Sequence, residues 1–377
     1  MAPPHRGMTF DLTCERGALL DVLVAAGRAA TGRSSVAQPV LRLRLSGGRL
    51  KATGTDRDLT ISAEVAVDGP GEGVVVAPAK LLADVVRALE GQVALHQDRE
   101  TLEVEAGRAR FLLRTHPPED FPRVSGPDAP PVTLAAAGLA EALGQVVRAV
   151  ATEESRPVLQ GVLVEATAHG ARFVATDSYR LALRDLNGLP GFLAEGQQVV
   201  VPGRALAELQ RLLADGPEAV EVRLGDKEVR FDLGTTRLTA RLIEGEFPFY
   251  GQIVPSPAAL PNRLVVGRDA LLGTLRRVRL LSPRPDQPPP ARLDLSAGTA
   301  KASLVVPELG EAAEELEAKY EGEDMAIAFN PAYLADGVEA TTGDEVVLEM
   351  GGPTQAAVLR SRDRAEFSYV IMPVRVA

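Results

Sequence analysis

Acid–base and metal chemistry would need histidines or carboxylates that the fold brings together, and the sequence offers poor sets of both. The histidines are scattered along the chain and have none of the spacings of a zinc site: His5, His96, His116 and His169. Asp56 with Asp58, or Asp177 alone, could hold a metal or serve a hydrolase. Carboxylates in hairpin turns are far more often caps for the backbone, so the structural interpretation is favoured.

Nucleophile and nucleotide motifs are also missing from the sequence. It contains no Gly-x-Ser-x-Gly elbow, and no Gly-x-x-x-x-Gly-Lys-Ser/Thr phosphate loop. The nearest candidate, Ser46-Gly-Gly-Arg49, lacks the lysine and the following helix that a phosphate loop needs. The residues therefore predict a protein that is not an enzyme and that has no cofactor and no metal site.

The stretch Phe173-Val-Ala-Thr-Asp-Ser-Tyr-Arg-Leu-Ala-Leu183 carries chemistry of another kind. It predicts a β-hairpin that turns at Thr176-Asp-Ser-Tyr179, because short Asp and Ser side chains can hydrogen-bond the nearby backbone. Its mixture of aromatic, basic and apolar side chains is typical of a peptide-binding surface. A weaker copy of the same turn occurs earlier, in Leu50-Lys-Ala-Thr-Gly-Thr-Asp-Arg-Asp-Leu-Thr60.

Composition limits the class of protein. The chain has 377 residues, 45% of them hydrophobic, which suits two or three domains with cores of their own. One cysteine, Cys14, excludes an intramolecular disulfide and indicates a reducing, cytoplasmic compartment. Residues 1–7 lack the apolar core of a signal peptide and are interpreted as a disordered lead-in. No apolar run approaches the ~20 residues of a membrane span.

The elements that must position the hairpin recur along the chain. In each of three passes, a short apolar strand leads directly into a helix: Val74-Val-Val-Ala-Pro78, Val199-Val-Val-Pro202 and Ala326-Ile-Ala-Phe329. The repeat length of roughly 125 residues is that of a domain. The sequence therefore predicts an α+β fold of three tandem copies of one module, each with two helices and about eight strands. The predicted modules span residues 8–126, 131–256 and 261–377.

Charge is unevenly distributed in the predicted elements. The net charge of −10 argues against a surface that is basic throughout. Yet the helices predicted at 139–152, 204–213 and 268–281 carry an excess of arginine, whereas acids concentrate in strands, turns and residues 308–324. This pattern suggests one basic surface lined by helices, although any single arginine could equally be a solubilising charge. The helix predicted at 331–337 has no basic residue and weakens the pattern.

The helix at 139–152 illustrates the predicted division between a buried stripe and a solvent face. The stripe consists of Leu139, Leu143, Val146, Val147 and Val150. The solvent face consists of Glu141, Gln145, Arg148 and Thr152.

Taken together, these motifs resemble a known family. The three modules, Ala175-Thr-Asp-Ser-Tyr-Arg-Leu-Ala182, Gly245-Glu-Phe-Pro-Phe-Tyr250 and the terminal Tyr369-Val-Ile-Met-Pro-Val-Arg375 are similar to the bacterial DNA polymerase III β subunit, the sliding clamp. The resemblance implies a DNA-clamp architecture, a ring-shaped homodimer in which helices line a central hole and continuous sheets form the outside. Duplex DNA passes through the hole, and the replicative polymerase, the clamp loader and other partners dock short peptides on the ring. Ser178-Tyr179 and Gln252 depart from common family residues, as does the stiff loop Pro283–Pro290.

The resemblance also implies sets of site residues. Arginines facing the phosphate backbone would give weak contacts that ignore sequence, which suits sliding; they are Arg28, Arg33, Arg148, Arg156, Arg204, Arg211 and Arg276. The implied peptide pocket, with apolar walls for an anchor side chain, consists of Leu159, Thr176, Ser178, Tyr179, Arg180, Leu181, Pro248, Ile253, Val370, Met372, Pro373, Val374 and Arg375. Without the resemblance, Leu181, Ile253 and Val370 would be assigned to an ordinary core.

The implied dimer contact joins the first module of one chain to the third module of the other, edge strand to edge strand. Its residues would be Arg99, Arg108, Arg110, Phe111, Leu113, Leu280, Leu281, Glu311, Glu314 and Glu315, with Glu317 nearby. Complementary signs suggest that the arginines face the glutamates across this interface. Two alternatives remain open from the sequence: a repeat-built peptide-binding scaffold that does not encircle DNA, and a hydrolase built on the turn aspartates.

Overall fold

The computed structural model describes residues 10–31, 38–69, 71–188, 193–214, 216–284 and 288–375. The predicted lead-in at residues 1–7, Arg33 and part of the Pro283–Pro290 loop lie outside the described residues.

The order of elements recurs three times along the chain, which confirms the predicted α+β fold built from one repeated module. The first copy comprises β1 (Asp11–Glu15), α1 (Arg16–Ala30), β2 (Val40–Ser46), β3 (Arg49–Thr55), β4 (Leu59–Ala66), β5 (Gly73–Pro78), α2 (Ala79–Ala88), β6 (Gln92–Asp98), β7 (Thr101–Ala106) and β8 (Ala109–Arg114). The second comprises β9 (Val132–Ala135), α3 (Ala136–Val146), β10 (Gly161–Thr167), β11 (Gly170–Thr176), β12 (Arg180–Asn187), β13 (Gln198–Pro202), α4 (Gly203–Ala214), β14 (Ala219–Leu224), β15 (Glu228–Leu233) and β16 (Thr236–Arg241).

The third copy follows the same order with one additional strand. It comprises β17 (Asn262–Gly267), α5 (Arg268–Val278), β18 (Ala291–Ser296), β19 (Thr299–Val306), β20 (Gly310–Leu316), β21 (Ala318–Glu321), β22 (Met325–Phe329), α6 (Pro331–Ala340), β23 (Glu345–Met350), β24 (Ala357–Ser361) and β25 (Phe367–Ile371). Residues 308–324, in which the sequence analysis found a concentration of acids, contain the two strands β20 and β21.

Two compact units emerge from the contacts within the chain, residues 1–136 with 211–242 and residues 137–210 with 243–377. The first unit contains a four-stranded sheet, β1-β6-β7-β8, and an eight-stranded sheet, β5-β2-β3-β4-β16-β15-β14-β9. The period-two pattern of β2 turns Leu41, Leu43 and Leu45 into the core, where α1 and α2 cover them. Since β4 pairs with β16, one sheet runs continuously from the first module into the second.

The second unit repeats this plan. It contains a nine-stranded sheet, β13-β10-β11-β12-β25-β24-β23-β17-β21, and a four-stranded sheet, β20-β19-β18-β22. Here β12 pairs with β25, so that Leu181 lies opposite Val370 and the second module continues into the third. The predicted hairpin is the β11–β12 turn, and it therefore lies where the two modules join.

The predicted helix at 139–152 was too long at its C-terminal end. α3 ends at Val146, one 3₁₀ turn follows at Val147–Ala149, and Val150 is extended. The unwound segment frees the carbonyl of Arg148, which accepts a hydrogen bond of 2.6 Å from the Arg180 guanidinium. The helix predicted at 268–281 likewise ends at Val278 before a 3₁₀ turn, and the helix predicted at 331–337 continues to Ala340.

Gln145 was wrongly placed on the solvent face. It is buried, and its side-chain amide donates to the carbonyl of Ala340 at 3.0 Å, at the C-terminal end of α6. A helix end leaves carbonyls without intrahelical donors, so a buried amide is a suitable partner there. The apolar stripe alone could not reveal this role, because the acceptor lies 195 positions away in sequence.

Gly337 allows α6 to lie against the largest buried side chain of the second unit. Tyr369 is completely buried, and its hydroxyl donates to the carbonyl of Tyr333 at 2.9 Å. A Cβ on Gly337 would lie 2.5 Å from the nearest carbon of the Tyr369 ring. The helix and the ring can therefore approach this closely only with glycine at position 337.

We expect Gly337→Ala to destabilise the second unit by about 1–3 kcal/mol, because overpacking must outweigh the gain in helix propensity. Gly27→Ala in α1 is the control, since a Cβ there meets nothing within 4 Å and should stabilise the first unit by up to about 1 kcal/mol. Amide hydrogen exchange in α6 and α1 measures each effect locally. Equal stabilisation by both substitutions would show that the contact with Tyr369 imposes no constraint.

Candidate functional site

The β11–β12 turn is held by its own side chains. The hydroxyl of Thr176 donates to the carbonyl of Arg180 at 2.7 Å, and it accepts from the backbone of Ser178 at 3.1 Å. Asp177 accepts from the backbone N–H groups of Tyr179 and Arg180, both at 3.0 Å. Asp177 is therefore a backbone cap, as the turn chemistry predicted. Ser178 has a φ of 79°, in the left-handed region, and both Ser178 and Tyr179 are exposed.

Arg180 fastens this turn to the third module. Its side chain is 9% exposed and forms ion pairs with Asp177, at 2.9 Å, and with Asp336 of α6. It also donates to the hydroxyl of Tyr369 at 3.2 Å. Burial alone would lower the pKa of Arg180, but Tyr369, Asp336 and Asp177 outweigh that effect and leave the pKa above its ordinary value.

Aromatic rings complete the surroundings of the Arg180 side chain. Its guanidinium lies 4.2 Å from the centre of the Tyr333 ring, within the range of a cation–π contact. Tyr179 stacks on the same ring, with 6.3 Å between centroids and 29° between planes. Burial is the main cause of the raised pKa of Tyr333. The exposed Tyr179 ring therefore packs on Tyr333 of α6.

A cavity of about 390 Å³ opens beside the turn. Four of the predicted pocket residues line it: Leu159, Ser178, Tyr179 and Arg180. Arg156, which was predicted to face DNA, lines it too and donates to the hydroxyl of Ser178 at 3.1 Å. Lining residues that the sequence did not assign to the pocket include Val150, Ala151, Thr152, Glu153, Ser155 and Tyr333.

The floor next to this cavity is an apolar cluster. Leu159, Leu181 and Val370 belong to it and are buried, together with Phe247 from the Gly245–Tyr250 segment. Val370 lies opposite Leu181 in the sheet. The assignment of Leu181 and Val370 to a core and their assignment to a pocket are therefore compatible, because this core lies directly under the turn.

The remaining predicted pocket residues are mostly exposed. Met372 donates its backbone N–H to the carbonyl of Tyr179 at 2.9 Å, which fixes the C-terminal segment against the hairpin. The exposed fractions of Met372, Ile253 and Val374 are 42%, 42% and 38%. Pro248 and Arg375 are exposed, Pro373 is half-buried and Thr176 is buried.

The described arginines that were predicted to face DNA are all exposed: Arg28, Arg148, Arg156, Arg204, Arg211 and Arg276. Two of them share one carboxylate, since Glu339 of α6 pairs with Arg148 at 2.8 Å and with Arg276 at 3.0 Å. Burial alone would raise the pKa of Glu339, but these arginines outweigh it and lower the pKa. α6, which corresponds to the helix predicted without basic residues at 331–337, thus supplies the acid that pairs with Arg148 and Arg276.

Residues predicted to form a dimer contact lie on two strands at the edges of their sheets, β8 in the first unit and β20 in the second, whereas Leu280 and Leu281 lie in a 3₁₀ turn. On β8, Phe111 and Leu112 are exposed, whereas Leu113, which was predicted to form the contact, belongs to the core. Leu280 is 83% exposed, and Leu281 packs partly against a small core with Leu304. Arg99, Arg108, Glu311, Glu315 and Glu317 are exposed as well.

Two of the charges on these edges, Arg110 and Glu314, already have partners within their own unit. Arg110 pairs with Glu103 and with Glu105, the latter at 3.3 Å, and the hydrogen bond from Arg110 lowers the pKa of Glu103 to about 2. Glu314 accepts from Arg277 and from the hydroxyl of Thr274 at 2.9 Å. The sequence predicted pairing of these charges between chains but could not show the partners within the chain.

The described residues include neither a candidate metal site nor a helix that could span a membrane. No group of three or more His, Cys, Asp and Glu side chains among them could hold a metal ion. In that same part of the chain, no helix combines the length and the apolar character that a bilayer crossing requires.

Comparison with known proteins assigns the chain to a class. Family models of the DNA polymerase III beta subunit match residues 10–125 with the N-terminal domain, 133–249 with the central domain and 255–375 with the C-terminal domain. The Beta sliding clamp of Pseudomonas putida is 34% identical over 372 residues, 97% of this chain and 99% of the relative. The Beta sliding clamp of Escherichia coli is 30% identical over 374 residues, again 97% of this chain and 99% of the relative.

Solved structures agree with the sequence relatives. A sliding clamp from Pseudomonas aeruginosa, solved bound to griselimycin, is 30% identical with a TM-score of 0.87, and the match covers 98% of this chain and 100% of that one. The C. crescentus beta sliding clamp is 30% identical with a TM-score of 0.89 and the same coverage. The chain therefore belongs to the DNA polymerase III beta subunit family. Its function is that of a DNA sliding clamp, a processivity factor in DNA replication and not an enzyme.

We expect Arg180→Met to destabilise the second unit by about 3–5 kcal/mol, because it leaves Asp177 and Asp336 without their shared cation. The matched control is Arg364→Met, which breaks an exposed pair with Glu141 at 2.9 Å and should cost less than about 1 kcal/mol. Urea titration with hydrogen exchange in β12 measures the difference. Similar costs for the two variants would mean that Arg180 does not fasten the turn.

Proposed function

We propose that this clamp works as a head-to-tail homodimeric ring around duplex DNA, in the cytoplasm at the replication fork. Membership of the sliding-clamp family is the observation that carries the proposal, together with the open sheet edges on β8 and β20. Pairing of these edges would continue the sheets from chain to chain, as β4–β16 and β12–β25 continue them within the chain. The clamp domains in this arrangement are residues 8–126, 131–256 and 261–377.

Retention on DNA would then come from topology rather than affinity. The exposed arginines of the helices and their ends, Arg28, Arg148, Arg204, Arg211 and Arg276, would meet the phosphate backbone in weak contacts that carry no sequence information. The shared pairing of Arg148 and Arg276 with Glu339 supports this proposal, because it limits the attraction of each arginine for phosphate. A clamp that slides needs contacts of this limited strength.

We further propose that the surface around Tyr179, Leu181 and Met372 receives peptide segments of the replicative polymerase, the clamp loader and other partners. Buried Leu159, Leu181 and Val370 offer an apolar floor to an anchor side chain. The exposed, unbranched Met372 can adapt its shape to different ligands. Arg180 holds the turn in one position before a peptide arrives, which lowers the ordering cost of binding.

A circular DNA distinguishes the ring from a scaffold that only binds peptides. We expect a particle of about twice the 39.9 kDa chain mass that, once loaded by its clamp loader onto a nicked plasmid, stays bound in high salt. Cutting the plasmid should release it, because a ring slides off a linear end. Gel filtration of the plasmid before and after cutting measures retention. Equal retention on circular and linear DNA would contradict the topological tether.

We expect Glu339→Gln to strengthen binding to short, blunt duplex DNA. The slope of the logarithm of the binding constant against the logarithm of the salt concentration should steepen by about one to two. The reason is that Arg148 and Arg276 lose their common counter-charge. Glu244→Gln, an exposed acid of the same unit, changes the net charge equally and serves as the control. Fluorescence anisotropy across a salt series measures the slope. Equal slopes for the two variants would show that Arg148 and Arg276 do not contact DNA.

A further inference from the structure

The β3–β4 turn of the first module reproduces the β11–β12 turn bond for bond. The hydroxyl of Thr55 donates to the carbonyl of Leu59 at 3.1 Å and accepts from the backbone of Arg57 at 3.0 Å. Asp56 accepts from the N–H groups of Asp58 and Leu59 at 3.1 and 2.8 Å. The φ of Arg57 is 82°, against 79° for Ser178. The two backbones are therefore equivalent, although their side chains differ.

Strand pairing extends this equivalence beyond the turn. The carbonyl of Asp58 accepts from the backbone of Arg241 at 2.9 Å, as the carbonyl of Tyr179 accepts from Met372 at 2.9 Å. Thr60 lies opposite Thr239, as Leu181 lies opposite Val370. This alignment of the two junctions places Arg57 at the position of Ser178, Asp58 at that of Tyr179 and Thr60 at that of Leu181. It places Thr239 at the position of Val370 and Arg241 at that of Met372. The aromatic and apolar side chains at these aligned positions, Tyr179, Leu181, Val370 and Met372, are thus replaced by polar ones.

A groove exists at this first junction. One cavity of about 370 Å³ is lined by the turn, by residues 122–125 and by Glu228, Thr239 and Arg241. A second cavity of about 200 Å³ shares Thr60, Val124, Ser125 and Thr239 with it. We call the two cavities together the junction groove. Its basic lining residues are Arg42, Lys51, Arg57, Arg123, Arg230, Arg237 and Arg241, against the acids Asp58 and Glu228.

Some of these charges are compensated and others are not. Asp232 pairs with Arg230 at 2.8 Å and with Arg237 at 2.6 Å, and Glu64 pairs with Lys51 at 3.0 Å. Arg241 lies 3.8 Å from Asp58, and both side chains are largely exposed.

Three arginines of the groove, Arg42, Arg57 and Arg123, have no carboxylate within ion-pair distance among the described residues. The Arg42 guanidinium stacks 4.9 Å from the centre of the Phe121 ring, and burial together with Arg44 lowers its pKa. An anion in the groove would relieve this unfavourable environment.

We propose that the junction groove binds an extended peptide segment rich in Asp and Glu. Carboxylates suit the forked guanidinium groups of Arg57 and Arg123, and the hydroxyls of Thr60, Ser125 and Thr239 offer hydrogen bonds to a peptide backbone. The inference goes beyond the peptide pocket described above. It rests on that proposal in one respect, since the equivalent turn is taken to present the same shape to an extended chain.

The test uses the full-length protein and a fluorescein-labelled peptide of alternating Glu and Ser residues. We expect anisotropy to show binding with Kd below about 1 mM that weakens as salt rises. A peptide of alternating Gln and Ser should not bind. The double variant Arg57→Gln/Arg123→Gln should weaken binding at least about fivefold. The control Lys301→Gln/Lys319→Gln removes the same charge from exposed sites elsewhere and should leave the affinity unchanged within about twofold.

Several outcomes would overturn the proposal: no binding of the Glu–Ser peptide, equal binding of the Gln–Ser peptide, or equal loss in the two double variants. Tripolyphosphate that displaces the peptide at lower concentration than an unlabelled copy would indicate a plain anion site instead. Met372→Asp separates this proposal from the pocket at Tyr179. That variant should abolish binding of an apolar partner peptide and leave the Glu–Ser peptide bound. If binding of both peptides is lost, the Glu–Ser peptide binds at the Tyr179 pocket and not in the junction groove, which would overturn the inference.

Discussion

The ion pair between Arg180 and Asp336 is the contact on which the geometry of the proposed peptide-binding surface depends. One guanidinium ties a turn of the second module to α6 and β25 of the third, and it also holds the unwound end of α3 through the Arg148 carbonyl. A buried cation is tolerable only when its donors are satisfied, and here the ring of Tyr333 covers its face. Any displacement of α6 therefore disturbs the turn, and the reverse is also true.

The repeat and the turns were predictable from the sequence because they depend on local signals. Period-two strands, a Thr-Asp pair and short apolar strands before helices all act within a few residues of chain. These signals sufficed for α4, whose observed bounds, Gly203–Ala214, differ by one residue at each end from the helix predicted at 204–213. They sufficed also for the role of Asp177, because a turn aspartate caps the backbone wherever the turn lies.

What the sequence could not predict depends on contacts between distant segments. Gln145 looks like a solvent-face residue until the end of α6 supplies its acceptor. Tyr333 has no sequence signal of its own, because its ring matters only once Arg180 reaches it. The charges at the sheet edges show the same limit, since Arg110 and Glu314 are complementary in sign, yet Arg110 pairs with Glu103 of β7 and Glu314 with Arg277 of α5. Sign alone does not identify a partner.

The positive φ shared by Arg57 and Ser178 has a consequence for how such a protein can diversify. The hydrogen bonds that fix each turn come from its Thr and Asp side chains and from the backbone. The side chains at the tip, Arg57 and Ser178, are therefore not needed to hold the turn. Duplication of the module would then copy the backbone of the turn without fixing the side chains that it presents. Each turn can acquire its own binding specificity by substitution at its tip, without a change in the fold that supports it.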